Sequence, residues 1–219
     1  MSDVPETDTF VVTPHQFILG QCLNTVPQII LLVGGFFLLE AGSVRSKNAT
    51  SILMKNIINM SIGITAFWLI GGGILLGDTS AGGIFGTQAE VYALAGGFSL
   101  GETTLTAWMV LVFFGLTSTT IPSGAFAERS TMEMYAWYTW WTNLIFFPLV
   151  AHWSWNKNGW LFQWGFHDTA GSSVVHGYGA FTSLAGCYLL GPRLEHVDVN
   201  GKWIRKPPTL VGHSVLMQV

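Results

Sequence analysis

The segment DTAGSSVVHGYGAFTSLAGCYLLGPR, residues 168–193, constrains this chain more than any other. From Thr169 to Leu190 it carries no Asp, Glu, Lys or Arg. A helix needs about 20 apolar residues to cross a bilayer core, so the run is long enough to span. No water reaches its backbone there, so it must pair internally as a helix. His176 stands near the middle. An ionisable side chain at that depth is costly unless it faces a partner or a water path, which makes His176 a candidate functional residue. Ser172 and Ala180 lie one turn away, and Ser173, Gly177 and Gly179 sit beside it. A histidine that only hydrogen-bonds a neighbouring helix fits the same pattern. Asp168 precedes the run, placed to cap it and to meet the positive end of its dipole.

Residues 16–39, 56–77, 103–127 and 134–156 are likewise uncharged. Half of all residues are hydrophobic and 10% are charged, against about a quarter charged in soluble domains. The pattern predicts an all-α, polytopic membrane protein with five transmembrane helices. Charge sets the orientation. With the N-terminus outside, loops 40–55, 128–133 and 191–210 lie inside and hold Arg45, Lys47, Lys55, Arg129, Arg193, Lys202, Arg205 and Lys206. Of the 9 Lys and Arg, only Lys157 is then outside, as the positive-inside rule requires.

Cys22 and Cys187 lie in apolar runs and read as small hydrophobes, so neither a disulfide nor a metal site is expected. The N-terminus carries Asp3, Glu6 and Asp8 without a basic residue, unlike a signal peptide. The sequons at Asn48 and Asn59 fall in an inner loop and a span, where glycosylation does not act. There is no Rossmann glycine pattern, phosphate loop, HExxH or nucleophile elbow. An enzyme, a cofactor and a nucleic-acid partner are therefore not expected. A haem held by His176 with His152 or His167 is disfavoured, since the latter two sit at the outer edge.

Gly34, Gly35 and Gly71–Gly73 permit close helix approach. Gln16, Gln21, Asn24 and Gln28 fit either interhelical hydrogen bonds or a subunit seam. Loop 78–102, with Asp78, Glu90 and Glu102, is either a plain surface loop or a mouth that attracts cations. After Pro207 and Pro208, TLVGHSVLMQV reads as the start of a sixth span after 209, too short to cross before Val219. Part of a longer protein is the expectation.

Four phrases then stand in order: FFLLEAGSVRSKNATSILMKN (36–56), IPSGAFAERS (121–130), HWSWNKNGW (152–160) and DTAGSSVVH through GPR (168–193). In sequence and spacing they resemble the ammonium transporter family, which includes methylammonium permeases and Rhesus proteins. The resemblance covers nearly all of residues 1–219. It implies the first half of an eleven-helix fold built from two inverted five-helix repeats, assembled as a homotrimer with a pore in each subunit.

The resemblance also implies roles. Trp155 matches the aromatic residue of an outer ammonium site, where a cation rests on a ring face. An interfacial belt tryptophan is the alternative, as for Trp153 and Trp160. Phe114 matches one of two phenylalanines that close the pore, with core packing beside Phe113 as the alternative. Val110 departs from a family aromatic one turn earlier, and compensation by Trp108 or a wider vestibule are both open. His176 matches the first of twin pore histidines. Asp168 matches the signature acid, either supporting the cation site or only capping a helix. Thr169 departs from the usual aromatic. The second phenylalanine, the site serine and the second histidine belong to later spans.

The implied function is transport of ammonium or ammonia, with methylammonium as analogue, across the plasma membrane. Ammonium is deprotonated at the outer site, and ammonia passes along the histidines. A non-conducting half-transporter, or an ammonium sensor with a cytoplasmic regulatory partner, is the alternative.

Overall fold

The structure is a computed structural model that describes residues 34–78, 81–193, 196–204 and 212–218, with Leu19, Gly20, Leu23 and Pro27. Most of the predicted first span, with its glutamines, Asn24 and Cys22, lies outside the described residues, as do 205–211. Among the described residues the chain is helical, with one isolated bridge between Val197 and Trp203. The helices are α1 (Phe37–Ser43), α2 (Ser46–Leu76), α3 (Gly101–Thr120), α4 (Ser123–Phe126), α5 (Met132–Trp141), α6 (Phe147–Trp155), α7 (Trp160–Gln163) and α8 (Tyr178–Leu190). Wider π turns occupy Phe67–Gly71 within α2, Thr142–Phe146 between α5 and α6, and Ser172–Gly177 before α8. Both α2 and the stretch Thr103–Phe126 are long and apolar enough to cross a membrane.

One expectation shifts. Most of the predicted inner loop 40–55 is helix, because α2 starts at Ser46. Lys55 does not end the helix, since its ammonium donates to Glu40 Oε2 at 2.8 Å and lies over the Tyr135 ring at 4.8 Å. Residues 216–218 form a turn. His213 and Ser214 donate their backbone N–H groups to the carbonyls of Val44 and Gly42, and the Gln218 side chain also donates to Gly42.

Backbone carbonyls at the end of a membrane helix need donors. At the end of α2, His152 Nδ1 donates to the Leu75 carbonyl at 3.0 Å. Asn156 Nδ2 donates to Leu75 and Gly77 at 2.9 and 3.3 Å, and the Gly86 N–H reaches Ile74. These bonds lock α6 to α2 at one depth. The core between α2, α3 and α6 is Phe67, Leu75, Val112, Phe113, Leu116, Phe147, Ala151, Val174 and Val175. Gly71 permits the closest approach, since a Cβ there would strike the Asn143 carbonyl and Pro148 Cγ.

At the opposite end, the basic segments gather on one carboxylate. Glu128 Oε1 accepts from Arg45 Nε at 2.9 Å and Asn48 Nδ2 at 2.6 Å, and Arg193 Nε stands 3.8 Å from Oε2. Glu128 adopts φ 61°, a left-handed backbone that costs a side-chain-bearing residue roughly 1–2 kcal/mol. Burial would raise its pKa. The hydrogen bonds from Arg45 and Asn48, with the charges of Arg45 and Arg193, outweigh burial and hold the carboxyl below its ordinary value.

A depressed folded pKa stabilises the fold fully above the unfolded carboxyl's pKa, and this contribution is lost as pH falls through the folded value. Glu128→Gln should cost about 1–3 kcal/mol at neutral pH and flatten the acid limb of a thermal-unfolding series. Gly71→Ala should cost about 1–3 kcal/mol by overpacking. Gly82→Ala serves as a control for space, because nothing crowds that site, although its φ of 62° adds local backbone strain. Thermal melts in detergent compare the two.

Candidate aromatic and carboxylate site

Trp155 closes α6, and the α2–α6 lock sets its height. Its indole Nε1 donates to Asp168 Oδ2 at 2.9 Å. The indole meets Phe114 at a centroid distance of 5.7 Å and 58°, and Phe147 at 6.3 Å and 77°. Phe113 and Phe114 part ways: Phe113 joins the core at 7% exposure, whereas Phe114 stays 36% exposed beside Trp155. Trp153 and Trp160 stand apart, tilted against each other at 5.9 Å and 55°, with Trp153 donating to the Ile84 carbonyl. Trp108 packs on Phe67 at 5.7 Å and against Gly72. Its ring therefore packs on α2.

Asp168 uses both oxygens. Oδ1 accepts the backbone N–H of Ser173 at 2.6 Å, satisfying a free donor at the start of the last helix. Oδ2 holds Trp155. Capping and positioning of the indole are therefore carried by one group. The turn between them needs left-handed backbone at Ala170 (φ 55°) and Gly171 (φ 81°). A side chain on Gly171 would press on Val175 at 2.9 Å, near the Trp155 ring edge.

The Gly171 carbonyl accepts from both Val175 and His176, at 2.9 and 3.0 Å, which makes the π turn. Val174 and Val175 turn into the core, and His176 is exposed. Ala180, Phe181, Leu184 and Tyr188 continue as an uncovered face, with Phe181 77% and Tyr188 88% exposed. The structure thus brings Trp155, Phe114 and Asp168 together. Among the described residues, no hydrogen bond, ion pair or ring contact joins His176 to them. The carboxylate thus lies at the edge of the indole, whose other neighbours are the Phe114 and Phe147 rings.

The family described as the Ammonium Transporter Family matches residues 24–219. The chain belongs to the ammonium transporter family. Ammonium transporter 3 of Dictyostelium discoideum is 36% identical over 196 residues, covering 89% of this chain and 43% of that protein. Ammonium transporter Amt2 of Archaeoglobus fulgidus is 33% identical over 201 residues, 87% of this chain and 41% of that protein. Among solved structures, one named Sensor Amt Protein aligns with a TM-score of 0.76 and 29% identity over 90% of this chain and 49% of that chain. Mep2 of Saccharomyces cerevisiae shares the fold, with a TM-score of 0.70 at 22% identity over 91% of this chain and 45% of that chain. The chain therefore spans less than half the length of these proteins. The relatives carry the names of transporters, not enzymes.

The sequence did not reveal that His152 and Asn156 bond the end of α2 and so hold Trp155 at its depth. The signal was present, since two hydrogen-bonding side chains four residues apart in an apolar run share one helix face. For this family member, Asp168→Ala should remove both the cap and the indole bond at a cost of about 1–2 kcal/mol. Asp168→Asn keeps an acceptor oxygen and should lose less. Thermal unfolding of the two variants side by side checks the order.

Proposed function

We propose that this chain takes part in moving ammonium across the plasma membrane, with the N-terminus outside and the Glu128 cluster facing the cytoplasm. The observation that supports this most is the Trp155 indole held by Asp168 against Phe114. Ammonium that sheds water there finds an aromatic face, worth about 0.5–2 kcal/mol, and a nearby carboxylate. A bare charge is strongly disfavoured in an apolar passage. Ammonium therefore gives up its proton to water of the outer vestibule, which returns it outside or passes it on by a separate route, and neutral ammonia passes Phe114. The imidazole of His176 then accepts or donates a hydrogen bond to it. Potassium has no proton to lose and is excluded. A homotrimer and a cytoplasmic regulatory partner belong to the same reading by resemblance.

One observation favours a second reading. The solved structure named Sensor Amt Protein aligns over 90% of this chain, which fits a half-transporter that binds ammonium without conducting it, or a sensor.

Labelled methylammonium uptake in cells expressing the 219-residue chain, after its insertion is verified, separates these. Uptake that weakens roughly 2- to 30-fold in apparent affinity with Trp155→Ala, and changes rate with His176→Ala, is the expected result. No uptake, with ammonium still protecting the chain against heat unless Trp155 is replaced, would replace transport by the non-conducting reading. Indifference to both substitutions would defeat either.

A further inference from the structure

A line of buried polar side chains crosses the inner half of the bundle away from the aromatic site. Asn143 Nδ2 donates to the Thr139 carbonyl at 3.1 Å. Thr139 Oγ1 donates to Asn59 Oδ1 at 3.0 Å, and Asn59 Nδ2 donates to Thr120 Oγ1 at 3.2 Å. Asn59, Thr139 and Asn143 are each 2% exposed or less. Thr120 lines a cavity of about 350 Å³ whose wall also holds Glu40, Ser123 and Arg193. At its other end the line stops beneath the aromatic cluster. Asn143 Oδ1 and the Phe147 ring both crowd Gly115, next to Phe114, at 2.6 and 3.2 Å from where its Cβ would be.

Two members of this line have polar atoms that no protein group meets. Neither amide atom of Asn56 is hydrogen-bonded, although the residue is 1% exposed, and Asn143 Oδ1 is likewise unpaired. Asn56 lies one turn from Asn59 on the same face of α2. Buried amides left unmet are rare, and small ligands with two to four hydrogen bonds usually meet them. Both donor and acceptor are open on Asn56, so the ligand must accept and donate at once. Water is the smallest molecule that does both.

We infer that the Asn56–Asn59–Asn143 line is an internal water site continuous with the inner cavity at Thr120. Water from the cytoplasmic side thereby reaches the depth of Phe114 without passing the Phe114 ring. This assignment does not rest on the transport reading.

The 219-residue chain, labelled at asparagine and held in lipid nanodiscs, tests it by water-exchange NMR. The side-chain amides of Asn56 and Asn143 are expected to take magnetisation from water at least tenfold faster than the buried backbone amides of Ala151 and Val174. In Asn56→Leu, the water signal at Asn59 should fall and the melting midpoint should drop, because a met amide is lost. Amides of Asn56 and Asn143 as slow as Ala151 would overturn the inference. So would a rise in the midpoint of Asn56→Leu, the outcome for a dry, unmet amide. If the variant does not fold, the exchange rates of the unaltered chain decide.

Discussion

The end of the bundle that carries the basic segments depends on the Glu128 carboxylate. Arg45 before α2, Arg193 after α8 and Asn48 within α2 converge on it. Like charges packed at the end of parallel rods repel, and a shared acid between them turns that repulsion into a joint. Glu128 reaches this place only through a left-handed backbone. The Glu40–Lys55 pair, with Ser123 donating to Glu40, adds a second tie among α1, α2 and α4. With one end closed, the helices share a common depth.

The opposite end is closed by different chemistry. His152 and Asn156 supply donors to carbonyls that lipid could not satisfy, and so hold α6 against α2. Trp155 follows them by position. Asp168 then couples the indole to the first turn of the last helix through its two oxygens. Ring orientation and the placement of the segment bearing His176 are one mechanical unit. A change at either end of that carboxylate is felt at both, which makes the acid more than a local attraction for cations.

Loop 78–102 is bound more firmly than a plain surface loop. Val91 is buried, Tyr92 packs on Gly73 with its hydroxyl on the Gly86 carbonyl, and Asp78 pairs with Lys157 in the open. The opposite charges of Asp78 and Lys157 largely cancel at that point. The described residues of this loop pack against the end of α2.

By itself, the sequence determined the all-helical class, since uncharged runs in lipid have one way to satisfy their backbone. It also picked out Trp155, Phe114, Asp168 and His176, because its four phrases match a family in order and spacing. Without the family resemblance it would not separate Phe113 from Phe114, adjacent rings of which one is buried in the core and the other half-exposed beside Trp155. Nor did it show that Lys55 continues a helix, since the acid that neutralises it is Glu40, across a turn. Those outcomes depend on contacts between residues far apart in the chain. Periodicity and composition carry no record of which distant group will be near. Only the tertiary structure decided that one carboxylate both caps the final helix and holds the indole, and that His176 opens onto an uncovered face.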